Sequence, residues 1–121
     1  MKMNIIISNS SNQPIYEQIA SQIKALIISG ELNEGDALPS MRLLAKELRI
    51  SVITTKRAYE ELEKEGFIVS ITGKGSFVAS KNLEFIKEQQ LKKIENHMQE
   101  IIHLAELYGI SLEELIEMLT L

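Results

Sequence analysis

Between Arg42 and Arg57 stand five bases, Arg42, Lys46, Arg49, Lys56 and Arg57, opposed by a single acid, Glu47. From Ser70 to Lys81 there are Lys74 and Lys81 and no acid. Guanidinium and ammonium groups at such density neutralise phosphates, and a guanidinium also forks onto base edges. The chain as a whole is acidic, with 13 bases, 17 acids and a net charge of -4. The positive field is therefore local, as the electrostatic footprint of a nucleic-acid site is. Other chemistry finds no residues to carry it. There is no cysteine, which excludes disulfides, thiolate nucleophiles and thiolate metal sites. His97 and His103 are six residues apart with Glu100 between them, so on one helix they share no face. A metal bridged between two chains is the one arrangement those three residues leave open. No nucleophile–base pair is visible, and Gly73-Lys74-Gly75 lacks the strand–loop–helix setting of a phosphate loop. Neither enzymatic activity nor a metal or cofactor is expected.

The elements that must position these bases follow from punctuation and periodicity. Ile5 to Ile7 is expected as a short strand and Ser8 to Gln13 as a polar linker. Pro14 suits a helix start, and Ile15, Ile19, Ile23, Leu26 and Ile27 repeat at helical spacing up to Gly30. Glu31 to Pro39 reads as a loop. Ser40 caps a short helix, Met41 to Leu48, and Ser51 caps a longer one that stops at Gly66. Short helix, tight turn and longer helix is the helix-turn-helix order. Phe67 to Ile71 and Ser76 to Ala79 flank the turn Thr72-Gly73-Lys74-Gly75, which predicts a β-hairpin, or wing. From Asn82 a long helix carries Leu91, Ile94, Met98, Ile101, Ala105 and Tyr108 at steps of three and four. After Gly109, Ser111 and Glu114 form a capping box for a last helix bearing Leu112, Leu115, Ile116 and Leu119. The fold class is mainly α with a small β-hairpin: a winged helix-turn-helix domain over residues 1–80 and a helical dimerisation segment over 81–121.

The third helix orients itself. Thr55, Ala58, Tyr59 and Leu62 lie on one stripe and face the core; Ile53, Lys56, Arg57, Glu60 and Lys64 project away. The outer face is basic near its N-terminal end, the end that reaches base edges in helix-turn-helix proteins. Ile53 on that face has two readings, contact with a thymine methyl or packing against the previous turn or a partner chain.

Leu38-Pro39-Ser40-Met41-Arg42-Leu43-Leu44-Ala45 resembles the GntR family pattern L-P-S-x-R-x-L-A. Arg57-Ala58-Tyr59-Glu60-Glu61-Leu62 up to Gly66, Gly73-Lys74-Gly75-Ser76-Phe77-Val78, and Pro14-Ile15-Tyr16-Glu17-Gln18-Ile19 resemble the family in the same order. The likeness runs from about Gln13 to Ala79. The short tail is similar to the YtrA-type subfamily, whose members carry about two dimerising helices in place of a large effector domain. The resemblance implies DNA contacts by Arg42, Ser51, Thr54, Lys56, Gly73 and Lys74. Many members have arginine after the serine, where this chain has Val52, so that position's base preference differs from theirs. Val52, Ile53 and Arg57 complete the expected DNA-binding set.

The expected partners are double-stranded DNA and a second copy of the chain, joined through Leu91, Ile94, Met98, Ile101, Ala105, Tyr108, Leu112, Leu115 and Leu119. The expected activity is transcriptional regulation, by repression, from a palindromic operator in the cytoplasm. A membrane is not an expected partner, because Ile5-Ile6-Ile7 is too short to span one and the tail's polar residues are mostly Glu. The competing readings are a sensor with a small-molecule effector in the dimer cleft and a winged helix used for protein contact alone.

Overall fold

Pro14 starts the first helix from just outside it. Its carbonyl accepts the N–H groups of Glu17 and Gln18, each at 3.1 Å. The computed structural model describes residues 3–80 and 83–121. In it α1 spans Ile15–Ser29, α2 Met41–Leu48, α3 Val52–Lys64, β1 Ile68–Ile71, β2 Gly75–Val78, α4 Leu83–Tyr108 and α5 Leu112–Thr120. Lys81, expected to extend the wing's basic stretch, and Asn82, expected to open the long helix, lie outside the described residues. The chain divides into two compact units, Met1–Lys81 and Asn82–Leu121.

In the first unit the apolar stripe of α1 closes onto α3 and α2. Ile19, Ile23, Leu44, Thr55, Tyr59, Leu62, Phe67 and Ile68 are fully buried, which matches the predicted inner faces of all three helices. Each long apolar side chain removed from water contributes about 1.5–3 kcal/mol. Gly30 ends α1 in the left-handed conformation, φ 86, the position that a glycine takes without steric cost. Lys24 of α1 ties to the end of α3 through Glu65 at 2.6 Å and sits over the Phe67 ring at 5.7 Å.

The segment Ile5–Ile7 is not a strand; glutamine side chains take the place of a strand partner. The Gln22 amide accepts from Ile6 N–H at 2.9 Å and donates to Ile6 C=O at 2.7 Å. The Gln18 amide accepts from Ser8 N–H at 2.9 Å and donates to the carbonyls of Ser8, at 3.0 Å, and Gln13, at 2.9 Å. The geometry explains the match: two residues of extended chain advance about 6.6 Å and one helical turn of four residues about 6 Å. Residues 6 and 8 therefore meet amides four apart on α1, while Met3 and Ile5 are buried.

The wing pairs antiparallel, with Ile68 opposite Val78 and Ile71 opposite Gly75. The stretch before α2, expected as plain loop, adds a third line to it. Gly35 N–H donates to Val78 C=O, Val78 N–H to Asp36 C=O and Leu38 N–H to Ser76 C=O, at 2.8–2.9 Å. Ala37 bridges Phe77. The wing is thus bolted to the chain that leads into α2.

The second unit is α4 and α5 joined by a short turn. Gly109 turns it, and Ile110 N–H donates to Ala105 C=O at 2.8 Å. Ser111 caps α5 by accepting from Glu114 N–H at 3.2 Å, while the Glu114 carboxylate meets the Ser111 hydroxyl at 3.5 Å rather than its backbone. The expected capping box is therefore only half formed. No helix among the described residues is long and apolar enough to cross a membrane.

Candidate DNA-binding face

Two serine caps set the starts of the helices that carry the bases. The Ser40 hydroxyl accepts from Leu43 N–H at 3.1 Å and that of Ser51 from Ile53 N–H at 3.0 Å. Between the helices, Arg49 holds φ 57, a left-handed conformation that costs a non-glycine residue about 1–2 kcal/mol. Its exposed side chain puts a charge in the turn itself. The angle between α2 and α3 is pinned from inside by Thr55. That buried hydroxyl lies 3.1 Å from Met41 C=O and 2.8 Å from Val52 C=O, with its one proton available to either. The Tyr59 hydroxyl donates to Pro39 C=O at 2.7 Å, fixing the lead-in to α2. Burial, with a smaller contribution from Glu47, pushes that hydroxyl well above the ordinary phenol range, so it remains a neutral donor.

Outward from this frame project Arg42, Val52, Ile53, Lys56 and Arg57, all exposed, with Thr54 half-exposed between them. Ile53 is 79% exposed, so it does not pack against the preceding turn. Among the described residues none of Arg42, Lys46, Arg49, Lys56 and Lys74 forms an ion pair. Arg57 differs from these. Its guanidinium lies flat over the Tyr16 ring at 3.8 Å and donates to the Tyr16 hydroxyl at 3.2 Å, and that hydroxyl in turn donates to Glu17 at 3.2 Å. The stack is worth about 0.5–1 kcal/mol at an exposed site. The Ser51 hydroxyl, expected at the DNA, is exposed and accepts one bond as the cap of α3, which leaves its proton free to donate.

At the wing tip Lys74 N–H donates to Ile71 C=O at 2.9 Å, and Gly73, third in that turn, takes φ 78. A side chain at Gly73 would meet nothing within 4 Å. The glycine is therefore required by backbone conformation and not by crowding within the chain. Gly73 and Lys74 are both exposed.

The family model of gntR bacterial regulatory proteins matches residues 15–78, which are these helices and the wing. This chain belongs to the GntR family. It is 36% identical over 113 residues to the HTH-type transcriptional repressor YtrA of Bacillus subtilis, covering 93% of this chain and 87% of that one. It is similar in structure to YtrA from Sulfolobus acidocaldarius, a GntR-family transcription factor, with TM-score 0.63 and 39% identity over 76% of this chain and 97% of that one. It is also similar to the DNA-binding domain of AraR solved in complex with operator ORE1, with TM-score 0.54 and 25% identity over 64% of this chain and 94% of that one. This GntR-family chain is a DNA-binding transcriptional regulator of the YtrA-like type, a class that is not enzymatic.

Away from this face, His97 and Glu100 approach to 3.9 Å on α4, both largely exposed. Among the described residues no three His, Asp or Glu side chains are gathered as a metal site. Of the residues assigned to a dimer seam, Leu91, Ile94, Met98 and Ile101 are between 46% and 52% exposed and Tyr108 is 72% exposed. Ala105 is only 5% exposed within its own chain. Leu112 and Leu119 are exposed and Leu115 is half-buried. Sequence reasoning passed over Phe85, Ile102, Leu104 and Leu107, which are also exposed. It also passed over Tyr16 as the holder of Arg57, for which the available signal was an aromatic on the outer edge of α1.

Proposed function

We propose that the chain is a homodimeric repressor that places two α3 helices in successive major grooves of a palindromic operator, about 34 Å apart. The observation that carries this reading is the set of unpaired bases around the exposed first turn of α3 in a protein of net charge -4. An acidic protein gains nothing in solubility or stability from concentrating unneutralised bases there, whereas a phosphate backbone supplies their counter-charge. Arg42 and Lys56 contact phosphates or base edges, Gly73 and Lys74 bring the wing to the minor groove, and the exposed apolar rows of α4 and α5 join the two copies. The B. subtilis relative is named a repressor, and occlusion of a promoter by the bound dimer is the corresponding action here, in the cytoplasm where the DNA is.

The experiment is titration of the purified protein onto the DNA upstream of its own gene at several salt concentrations. Affinity is expected to fall steeply with salt as phosphate-bound counterions are displaced. Arg42→Ala and Lys56→Ala are each expected to weaken binding by about 1–3 kcal/mol while leaving the fold intact. Unchanged affinity in both variants at moderate salt overturns the site assignment.

A further inference from the structure

We propose that Val52 and Ile53 read sequence through the C5-methyl groups of thymine on the floor of the major groove. The inference rests on the DNA-binding reading above and gives it a base class.

It follows from where the polar groups of the first turn are spent. The Ser51 hydroxyl is engaged by Ile53 N–H. The Thr55 hydroxyl is buried on the carbonyls of Met41 and Val52. The Arg57 guanidinium is stacked on Tyr16 and bonded to its hydroxyl. What faces outward from residues 51–55 is Ser51, whose oxygen serves as the cap acceptor, the half-exposed Thr54, and two apolar side chains, Val52 at 43% exposure and Ile53 at 79%. Neither apolar residue helps the helix to form, since β-branched side chains lose rotamer freedom there. Ile53 gains almost no burial in return.

Ile53 shares a stripe with Lys56, Arg57 and Glu60, at i, i+3, i+4 and i+7. A Lys56 ammonium on a phosphate therefore leaves Ile53 one turn nearer the helix start, the part that meets base edges. Base edges in the major groove offer donors, acceptors and a single apolar group, the thymine methyl. An aliphatic reader discriminates through that group alone. No arginine, lysine, asparagine or glutamine stands at 51–55 to fork onto guanine or adenine. The unpaired Arg42 and Lys56 on the same two helices fit a polyanion as the occupant of this patch and disfavour an apolar protein surface.

The test begins by selecting duplexes from a randomised pool with the full-length protein. Thymines of the selected operator are then replaced, position by position, by deoxyuridine, which removes only the methyl. Replacement at a contacted position is expected to weaken binding by about fourfold, the worth of one buried methyl-sized group, and by more than tenfold when both half-sites are replaced. Ile53→Ala is expected to melt like the parent, to keep the parent's salt dependence, and to bind operators with thymine or deoxyuridine at the position Ile53 contacts within about twofold of each other, while a preference at a Val52 contact remains. Equal binding of both operators by the parent overturns the inference while leaving DNA binding in place, as does a full methyl preference retained by Ile53→Ala. A change of oligomeric state in Ile53→Ala without any methyl preference in the parent overturns it in favour of a protein contact. Enrichment of no sequence, with no salt-dependent affinity for duplex, overturns the DNA-binding reading itself.

Discussion

The two units of the chain treat their apolar residues in opposite ways. In the winged unit Ile19, Ile23, Leu44, Tyr59, Leu62 and Phe67 are at most 2% exposed. In the helical unit Leu91, Ile94, Met98, Ile101, Leu104, Leu107 and Leu119 are between 46% and 81% exposed, and among the described residues only Ile86 and Ala105 are buried. Local signals hold both units equally well: serine caps on α2, α3 and α5, and a left-handed glycine after α1 and at the α4–α5 turn. Capping and turns therefore specify the helices without specifying what covers them. Exposed apolar rows rimmed by polar residues are the kind of surface that a partner closes. The winged unit has its own core, and on the proposed reading the helical unit is completed by a second copy.

The comparison breaks most visibly if the units are separated. Truncation after Ser80 is expected to leave a folded monomer, because the core of residues 19–68 stays whole. Its operator affinity is expected to fall by about 10²–10⁴-fold, the usual gain when a second contact becomes intramolecular. Sedimentation and DNA titration measure the two effects. A truncated protein that still dimerises and binds as tightly as the full chain ends the proposed architecture.

A smaller effect is expected within the winged unit, at its tip. Gly73→Val adds a side chain into open space, so nothing in the core is displaced. The cost is φ 78, at which a β-branched residue is strained by about 1–3 kcal/mol. At an exposed hairpin tip this strain relaxes by reshaping the turn, which the three lines of backbone bonds behind it survive. Melting is expected to shift little, and DNA binding to weaken by roughly tenfold as the wing loses its close approach. Binding at the parent's level shows that the wing tip is no essential contact.

How much of this was legible in the sequence depends on the range of the interaction involved. α2 was read to the residue because Ser40 and the apolar triplet Leu44, Ala45 and Leu48 act within one turn of chain. The inner face of α3 was equally plain, since Thr55, Ala58, Tyr59 and Leu62 repeat at the helical period. Contacts that depend on a partner distant in sequence were not visible. Ile5 to Ile7 carries the pattern of a strand, and nothing local says that Gln18 and Gln22 will satisfy its backbone instead. The bonds from Gly35, Asp36 and Leu38 to β2 connect residues about forty apart. Arg57 looked like another outward base until Tyr16, on a different helix, was placed beneath it. Ala105 lies on the seam by spacing, and spacing alone does not show that it is only 5% exposed within its own chain.

The smallest effect sharpens the same comparison with a single oxygen atom. Tyr59→Phe removes the donor to the Pro39 carbonyl at the edge of the winged core, and it is expected to cost about 1 kcal/mol because that part-buried carbonyl loses its partner. Tyr108→Phe is the counterpart on the proposed seam of the helical unit, where the position is 72% exposed within its own chain; it keeps the apolar ring and is expected to change stability by less than about 0.5 kcal/mol. The Tyr59 cost also carries a pH signature. Burial, then Glu47, raises the hydroxyl's pKa above its ordinary 10.0 in the folded chain, so the folded state holds the proton more tightly than the unfolded one. The hydroxyl's contribution is complete below pH about 10 and is lost as the pH climbs beyond it, at up to about 1.4 kcal/mol per pH unit. Denaturant midpoints of the parent and Tyr59→Phe are therefore expected to differ at pH 8 and to converge above pH 10. A gap that stays constant across that range means that the Tyr59 hydroxyl is not held by its burial, and that the frame beneath α2 is looser than the winged unit's packing implies.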